Sequence, residues 1–154
     1  RSGWNDRDLE RNLKLAMRIK NRIVATDPFE KAGPRRHLNL GHTLGHALER
    51  TSRLSHGRAI AWGLCAAAVL SEDVAGFLHA NAMQRMLKPF LHRPRSWPSR
   101  RALLNALRFD KKRAGSKLHS VLLHDLAKPF VTDSLDAKDW VDAFDHIRGG
   151  NRVY

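Results

Sequence analysis

With 154 residues, a hydrophobic share of 42% and a charged share of 28%, the chain is long enough for one domain with a real core and lies outside the disordered range. Lys and Arg number 28 against 15 Asp and Glu, a formal charge of +13, which attracts phosphate without choosing among nucleic acid, membrane surfaces and small substrates. A single cysteine, Cys65, excludes an internal disulfide, and the sequence has no run of about 18 apolar residues and no signal-peptide core, so a soluble cytoplasmic protein is expected.

From Asp6 to about Ala25, the residues Leu9, Leu13, Ala16, Met17, Ile23 and Val24 approximate one helical face, with Asn5 or Asp6 as the cap. The stretch TDPFEKAGPRR then breaks the helix, because its prolines and glycine cannot continue it. A second helix is expected from Asn39 or His42 to about Arg53. Beyond Gly57, AIAWGLCAAAVLSEDVAGFL is apolar nearly all round, the pattern of a central helix buried on most of its surface. Gly63 and the alanines 66 to 68 would let neighbouring helices come close, and Cys65 reads as a small core residue.

Further helices are expected over Ala80 to Leu91 and Ser99 to Phe109. Between them HRPRSWPSRR reads as a solvated, Pro-rich connector rather than a nucleic-acid arm. The period then changes: KLHSVLLHDLAKPFVTD carries β-branched and apolar residues on both sides of HDLAKP, as in a small hairpin. Ser134 can cap a last helix carrying Leu135, Trp140, Val141, Phe144 and Ile147, ended by Gly149 and Gly150. The expected fold is therefore mainly α, one helical bundle domain over residues 1–154 with one β-hairpin near its C-terminal end.

Chemistry concentrates in LNLGHTLGHALERTSRLSHG, Leu38 to Gly57. Residues four apart share a helix face, so His42 and His46 project side by side. His56, at the mouth of the next helix, faces them if the two helices pair antiparallel. A lone His on an apolar face is most often a hydrogen-bonded core residue, but three beside Asn39, Gly41, Thr43 and Gly45 point to a site. Imidazoles suit zinc, and a catalytic zinc needs three protein ligands. Glu49 shares the face of His42 but is placed too far along the helix to serve, so a full ligand set is not visible. Gly41 and Gly45 leave room for either a ligand or a neighbouring helix. The other histidines, 37, 79, 92, 119, 124 and 146, lack such company and read as surface or structural. Lys111 and Lys112 suit an anion, with a solvated charge run as the plainer alternative.

These residues carry a resemblance. KNRIVATDPFEKAGPRRHLNLGHTLGHALE, LSHGRAIAWGL and FDKKRAGSKLHSVLL are similar to the blocks of the 3-dehydroquinate synthase C-terminal domain, including its Gly-His-Thr-x-Gly-His motif. The resemblance spans nearly the whole chain. It implies zinc ligation by His42 and His56, contact of His46 with the substrate phosphate or a proton in transit, and binding of substrate oxygens by Asn39 and Arg35. By the same resemblance Lys20 binds substrate, as does one of Lys111 and Lys112.

The implied reaction converts a phosphorylated seven-carbon sugar acid, 3-deoxy-D-arabino-heptulosonate 7-phosphate, into 3-dehydroquinate and phosphate in the shikimate pathway. It uses zinc or another divalent metal, and NAD. No G-x-G-x-x-G occurs in this chain, so the N-terminal NAD-binding domain is expected to be absent here. The chain begins with Arg1, as a fragment or processed product would, and the family's third metal ligand, a Glu, falls before it, so the piece alone is expected to be inactive. Family members are usually dimers, which implies a homodimer; membrane and nucleic acid are not expected partners. Arg58 stands where the family has Glu after His-Gly, and the preamble between Glu30 and Arg35 is one residue longer. The alternatives are a related sugar-phosphate cyclase and a non-catalytic basic remnant or binding module.

Overall fold

The computed structural model describes residues 5–29, 33–113 and 118–149, without the side chains of 110–113. The chain divides into two compact units, Arg1–Leu38 and Asn39–Tyr154. In the first, helix α1 spans Asp6–Thr26, and the Asn5 side chain accepts the Asp8 N–H at 2.9 Å, as expected of an Asn cap. Asp6 and Asp8 sit in its first turn, where a negative charge opposes the helix dipole. Pro28 follows its end, and the next described element is a 3-10 helix, Pro34–Asn39.

The second unit contains α2 (His42–Thr51), α3 (His56–Ala75), α4 (Ala80–Leu87), α5 (Arg100–Arg113), the strands β1 (Ser120–Asp125) and β2 (Lys128–Thr132), and α6 (Ala137–Arg148). The mainly helical fold with one hairpin near the C-terminal end is thus the one the sequence pattern calls for. Helix α3 is its axis. It packs against α2, α4, β1 and α6, and Trp62, Cys65, Ala66, Ala67, Val69 and Leu70 are all buried along it. Burial pushes the Cys65 thiol up to about 12, so it stays an inert core residue.

Buried hydrogen bonds tie β1 to that axis and α6 to β1. Ser71 Oγ on α3 donates to the Ala67 carbonyl and accepts the Leu123 N–H of β1 at 3.0 Å, both in buried surroundings. Trp140 of α6 is fully buried and its indole N–H reaches Ser120 Oγ at 3.0 Å, satisfying the one polar atom of a large apolar side chain. The hairpin pairs Val121 with Val131 and Leu122 with Phe130 in antiparallel register, and it turns over Leu126 and Ala127.

Several element ends differ from the sequence pattern for local reasons. Helix α4 stops at Leu87 because Pro89 tightens the chain into a 3-10 turn over Lys88–Phe90. Helix α5 runs past Phe109 to Arg113, with no breaker before it. The cap of α6 is Asp136, not Ser134: its carboxylate accepts the N–H groups of Lys138 and Asp139, while Asp139 reaches back to the Asp136 N–H in a reciprocal capping box. Ser134 instead pairs with the Thr132 hydroxyl. Those backbone N–H groups hold the Asp136 carboxyl below the usual range. The connector before α5 is not all solvated, since Trp97 packs edge-on against Trp62 and Phe144 with ring centroids 5.1 Å away in both cases.

Gln84 of α4 is fully buried, and neither its amide oxygen nor its nitrogen has a hydrogen-bond partner among the described residues. Unsatisfied buried polar groups are costly, so Gln84→Met, close in shape, is expected to stabilise the protein by about 1–3 kcal/mol. Urea denaturation checks this. A midpoint that falls on substitution would mean that the amide is satisfied in solution.

Candidate functional site

The site begins with how α2 and α3 meet. Gly41 adopts a left-handed conformation, φ 77°, at the start of α2, a backbone geometry that costs glycine nothing. A β-carbon there would lie 2.8 Å from the Leu64 backbone nitrogen, and one on Gly45 would lie 2.5 Å from Ile60 Cδ1. A β-carbon on Gly63 would sit 1.9 Å from the Gly41 carbonyl oxygen. The glycines beside the histidines therefore serve helix packing: α3 occupies the space they leave. Gly41 faces Leu64 and Gly45 faces Ile60, so the helices run antiparallel, and one further turn of that register sets Glu49 opposite His56.

That register gathers the histidines. Ring centroids of His42 and His46 are 5.2 Å apart, those of His42 and His56 5.6 Å, and those of His46 and His56 6.0 Å. His42 is half-buried, whereas His46, Glu49 and His56 are exposed, so the triangle opens to solvent. One donor atom each from His46, Glu49 and His56 lie within 4.8 Å of one another.

Two of the rings are held in a definite tautomer. His42 Nδ1 is 3.2 Å from the Leu40 carbonyl, which can only accept, so Nδ1 carries the proton and Nε2 the lone pair. His56 Nδ1 is 3.0 Å from Glu49 Oε2. The hydrogen bond from His56 holds the Glu49 carboxyl below its ordinary value, so this oxygen also only accepts, Nδ1 is the donor, and the neutral His56 ring keeps its lone pair on Nε2. A metal-binding imidazole usually has its second nitrogen tied to a carbonyl or carboxylate in this way. The donor chemistry therefore fits a divalent cation such as zinc.

Beside the triangle is a pocket of about 450 Å³. His42, His56, Arg58 and His92 line it together with an apolar wall that includes Leu64, Leu87 and Phe90. His92 is fixed there because the Trp62 indole N–H donates to its carbonyl at 3.1 Å, and Trp62 is braced by Trp97 and Phe144.

Of the residues singled out in the sequence, His42, His46 and His56 come together. Asn39 lies exposed at the end of the 3-10 helix in the same unit. Lys20 is on α1 and Arg35 donates to the Pro28 carbonyl, both in the first unit. The side chains of Lys111 and Lys112 lie outside the described residues. Sequence reasoning set Glu49 aside by its distance from His42 along α2, yet its partner is His56 across the helix pair. Its spacing of three from His46 was the available signal. His92, read as surface or structural, is exposed and also lines the pocket. His79, paired with Asp125 at 3.5 Å, and His124, stacked on Phe130 at 3.9 Å, have structural roles.

The chain has relatives among known proteins. The sequence model of the family described as 3-dehydroquinate synthase C-terminal matches residues 2–113. A 3-dehydroquinate synthase of Coxiella burnetii (strain Dugway 5J108-111) is 37% identical over 139 residues, 85% of this chain and 38% of its own. One from Leifsonia xyli is 38% identical over 146 residues, 91% of this chain and 40% of its own. One from Pseudarthrobacter chlorophenolicus is 33% identical over 143 residues, 88% and 38% respectively. The chain thus spans 38% to 40% of the length of these relatives.

Proposed function

Because the chain belongs to the 3-dehydroquinate synthase C-terminal family, we propose that it is the metal- and substrate-binding part of a 3-dehydroquinate synthase, a carbon–oxygen lyase. The substrate is 3-deoxy-D-arabino-heptulosonate 7-phosphate and the products are 3-dehydroquinate and phosphate, as in the shikimate pathway. The observation that carries the reading is the triangle of His42, His46 and His56, with centroids 5.2–6.0 Å apart, in a chain whose relatives bear that name.

His42 and His56 hold the divalent metal through Nε2, since both Nδ1 atoms are engaged elsewhere. When bound, such a metal acts as a Lewis acid that makes a coordinated alcohol easier to deprotonate. His46, the exposed third corner of the triangle, meets the substrate phosphate or carries a proton, tasks for which an imidazole is suited near neutral pH. Asn39 and Arg35 hold substrate oxygens. Lys20 and one of Lys111 and Lys112 bind the anionic groups, where cations stabilise charge that develops as phosphate departs. NAD is bound mainly by a domain outside this chain, and without that domain the chain does not turn over substrate.

Phosphate release from 3-deoxy-D-arabino-heptulosonate 7-phosphate tests this, with the protein loaded with zinc and supplied with NAD and an NAD-binding domain from a relative. Release accompanied by 3-dehydroquinate is expected. Turnover of a different sugar phosphate in its place would assign a sister cyclase, and metal loading without any turnover would mark a non-catalytic binding module.

A further inference from the structure

The reading above gives His42 and His56 to the metal and leaves Glu49 without a role. Glu49 is exposed on α2, seven residues before His56 in sequence, and its Oε2 lies 3.0 Å from His56 Nδ1. We infer that Glu49 is a positioning residue: it holds the His56 ring across the α2–α3 pair, with Nδ1 protonated and Nε2 presented to the metal.

Three observations support it. The helix register set by the glycines places Glu49 opposite His56, so the contact follows from packing and not from a chance side-chain excursion. His56 opens α3 next to Gly57, which has open space around it, so no wall of side chains on that neighbour would orient the ring if Glu49 were removed. His42, the other ligand of the proposed pair, is held through the same nitrogen by the Leu40 carbonyl, so both rings are set by the same device. A flexible, exposed imidazole must otherwise be ordered when metal binds, and that ordering weakens binding. The rival assignment is that Glu49 is itself a ligand, with His46 and His56.

The inference rests on the metal reading, and the test separates the two. Zn2+ and Co2+ affinities are measured by chelator competition on the full chain joined to the N-terminal domain of a relative, which brings the third ligand, for the wild type, Glu49→Ala and Glu49→Gln. Positioning predicts a roughly 10–100-fold loss for Glu49→Ala, the usual cost of losing an outer partner of a metal-bound His. It predicts near-complete rescue in Glu49→Gln, because the amide oxygen still accepts the Nδ1 proton, and an unchanged visible spectrum of the Co2+ form. The 15N signals of the metal-free protein should lose the single His56 tautomer in Glu49→Ala and retain it in Glu49→Gln. Glu49 is exposed, and unchanged far-UV circular dichroism of both variants shows that the fold is kept. Wild-type affinity in Glu49→Ala would overturn the inference. So would a Glu49→Gln variant as weak as Glu49→Ala with an altered Co2+ spectrum, which would make Glu49 a ligand. A wild-type chain that binds neither ion even when joined to the N-terminal domain of a relative would overturn the metal reading itself.

Discussion

If the proposed metal site is right, His42→Ala should strip the protein of a bound divalent metal, with affinity falling by more than the roughly 10–100-fold that loss of an outer partner costs. The same holds for His56→Ala. A catalytic zinc site uses three protein ligands, and the proposed reading takes two of them from these rings, whose Nδ1 atoms are tied to Leu40 and Glu49. Losing either leaves too few donors to compete with water. Turnover in the protein completed with an NAD-binding domain should fall to background, because no neighbouring group replaces a Lewis acid.

His42 is half-buried at the start of α2, so its truncation should cost some stability but not the fold. His119→Ala, exposed and outside the triangle, is the control and should keep its metal. Elemental analysis after dialysis against a weak chelator provides the measurement. Normal metal content in both His42→Ala and His56→Ala would remove the assignment.

Gly63→Ala should be among the most damaging single-methyl changes in the chain. The new carbon would lie 1.9 Å from the Gly41 carbonyl oxygen and 2.9 Å from the Gly45 nitrogen. Both are backbone atoms, one of the residue capping α2 and one of α2 itself, and cannot rotate aside. Overpacking commonly costs 1–3 kcal/mol, and a backbone obstruction belongs at the upper end, so a loss of about 3 kcal/mol is expected despite the better helix propensity of alanine.

Relief comes only if α2 and α3 move apart, which separates Glu49 from His56 and spreads the three imidazoles. Stability and metal affinity should therefore fall together. Gly57→Ala, where a β-carbon meets nothing within 4 Å, should be neutral or slightly stabilising. Thermal unfolding of the two variants compares them directly. A melting temperature for Gly63→Ala equal to that of the wild type would show that the helix pair can open without cost.

Much of this protein is written in local sequence. Asn5 announces the start of α1, Pro28 follows directly on its end, and the nearly all-apolar stretch after Gly57 identifies the buried axis. Spacing alone places His42 and His46 on one face, because helix geometry is set by hydrogen bonds four residues apart. Even the misplaced cap of α6 was legible: Asp136 followed by Asp139 is a capping-box spacing that outcompetes a lone Ser134.

What the tertiary structure decided are relations between elements that no local period contains. That Gly41 and Gly45 serve close helix contact and not a ligand follows only from α3 filling the space beside them. The pairing of Glu49 with His56 depends on the antiparallel register of α2 and α3, and one turn of slip would break it. Trp97 joins Trp62 and Phe144 from distant parts of the chain, and through Trp62 it helps to hold His92 at the pocket. Local sequence determines which faces are apolar and where helices start and stop, since those depend on neighbouring residues. Which face meets which is settled by how side chains interdigitate once the helices touch.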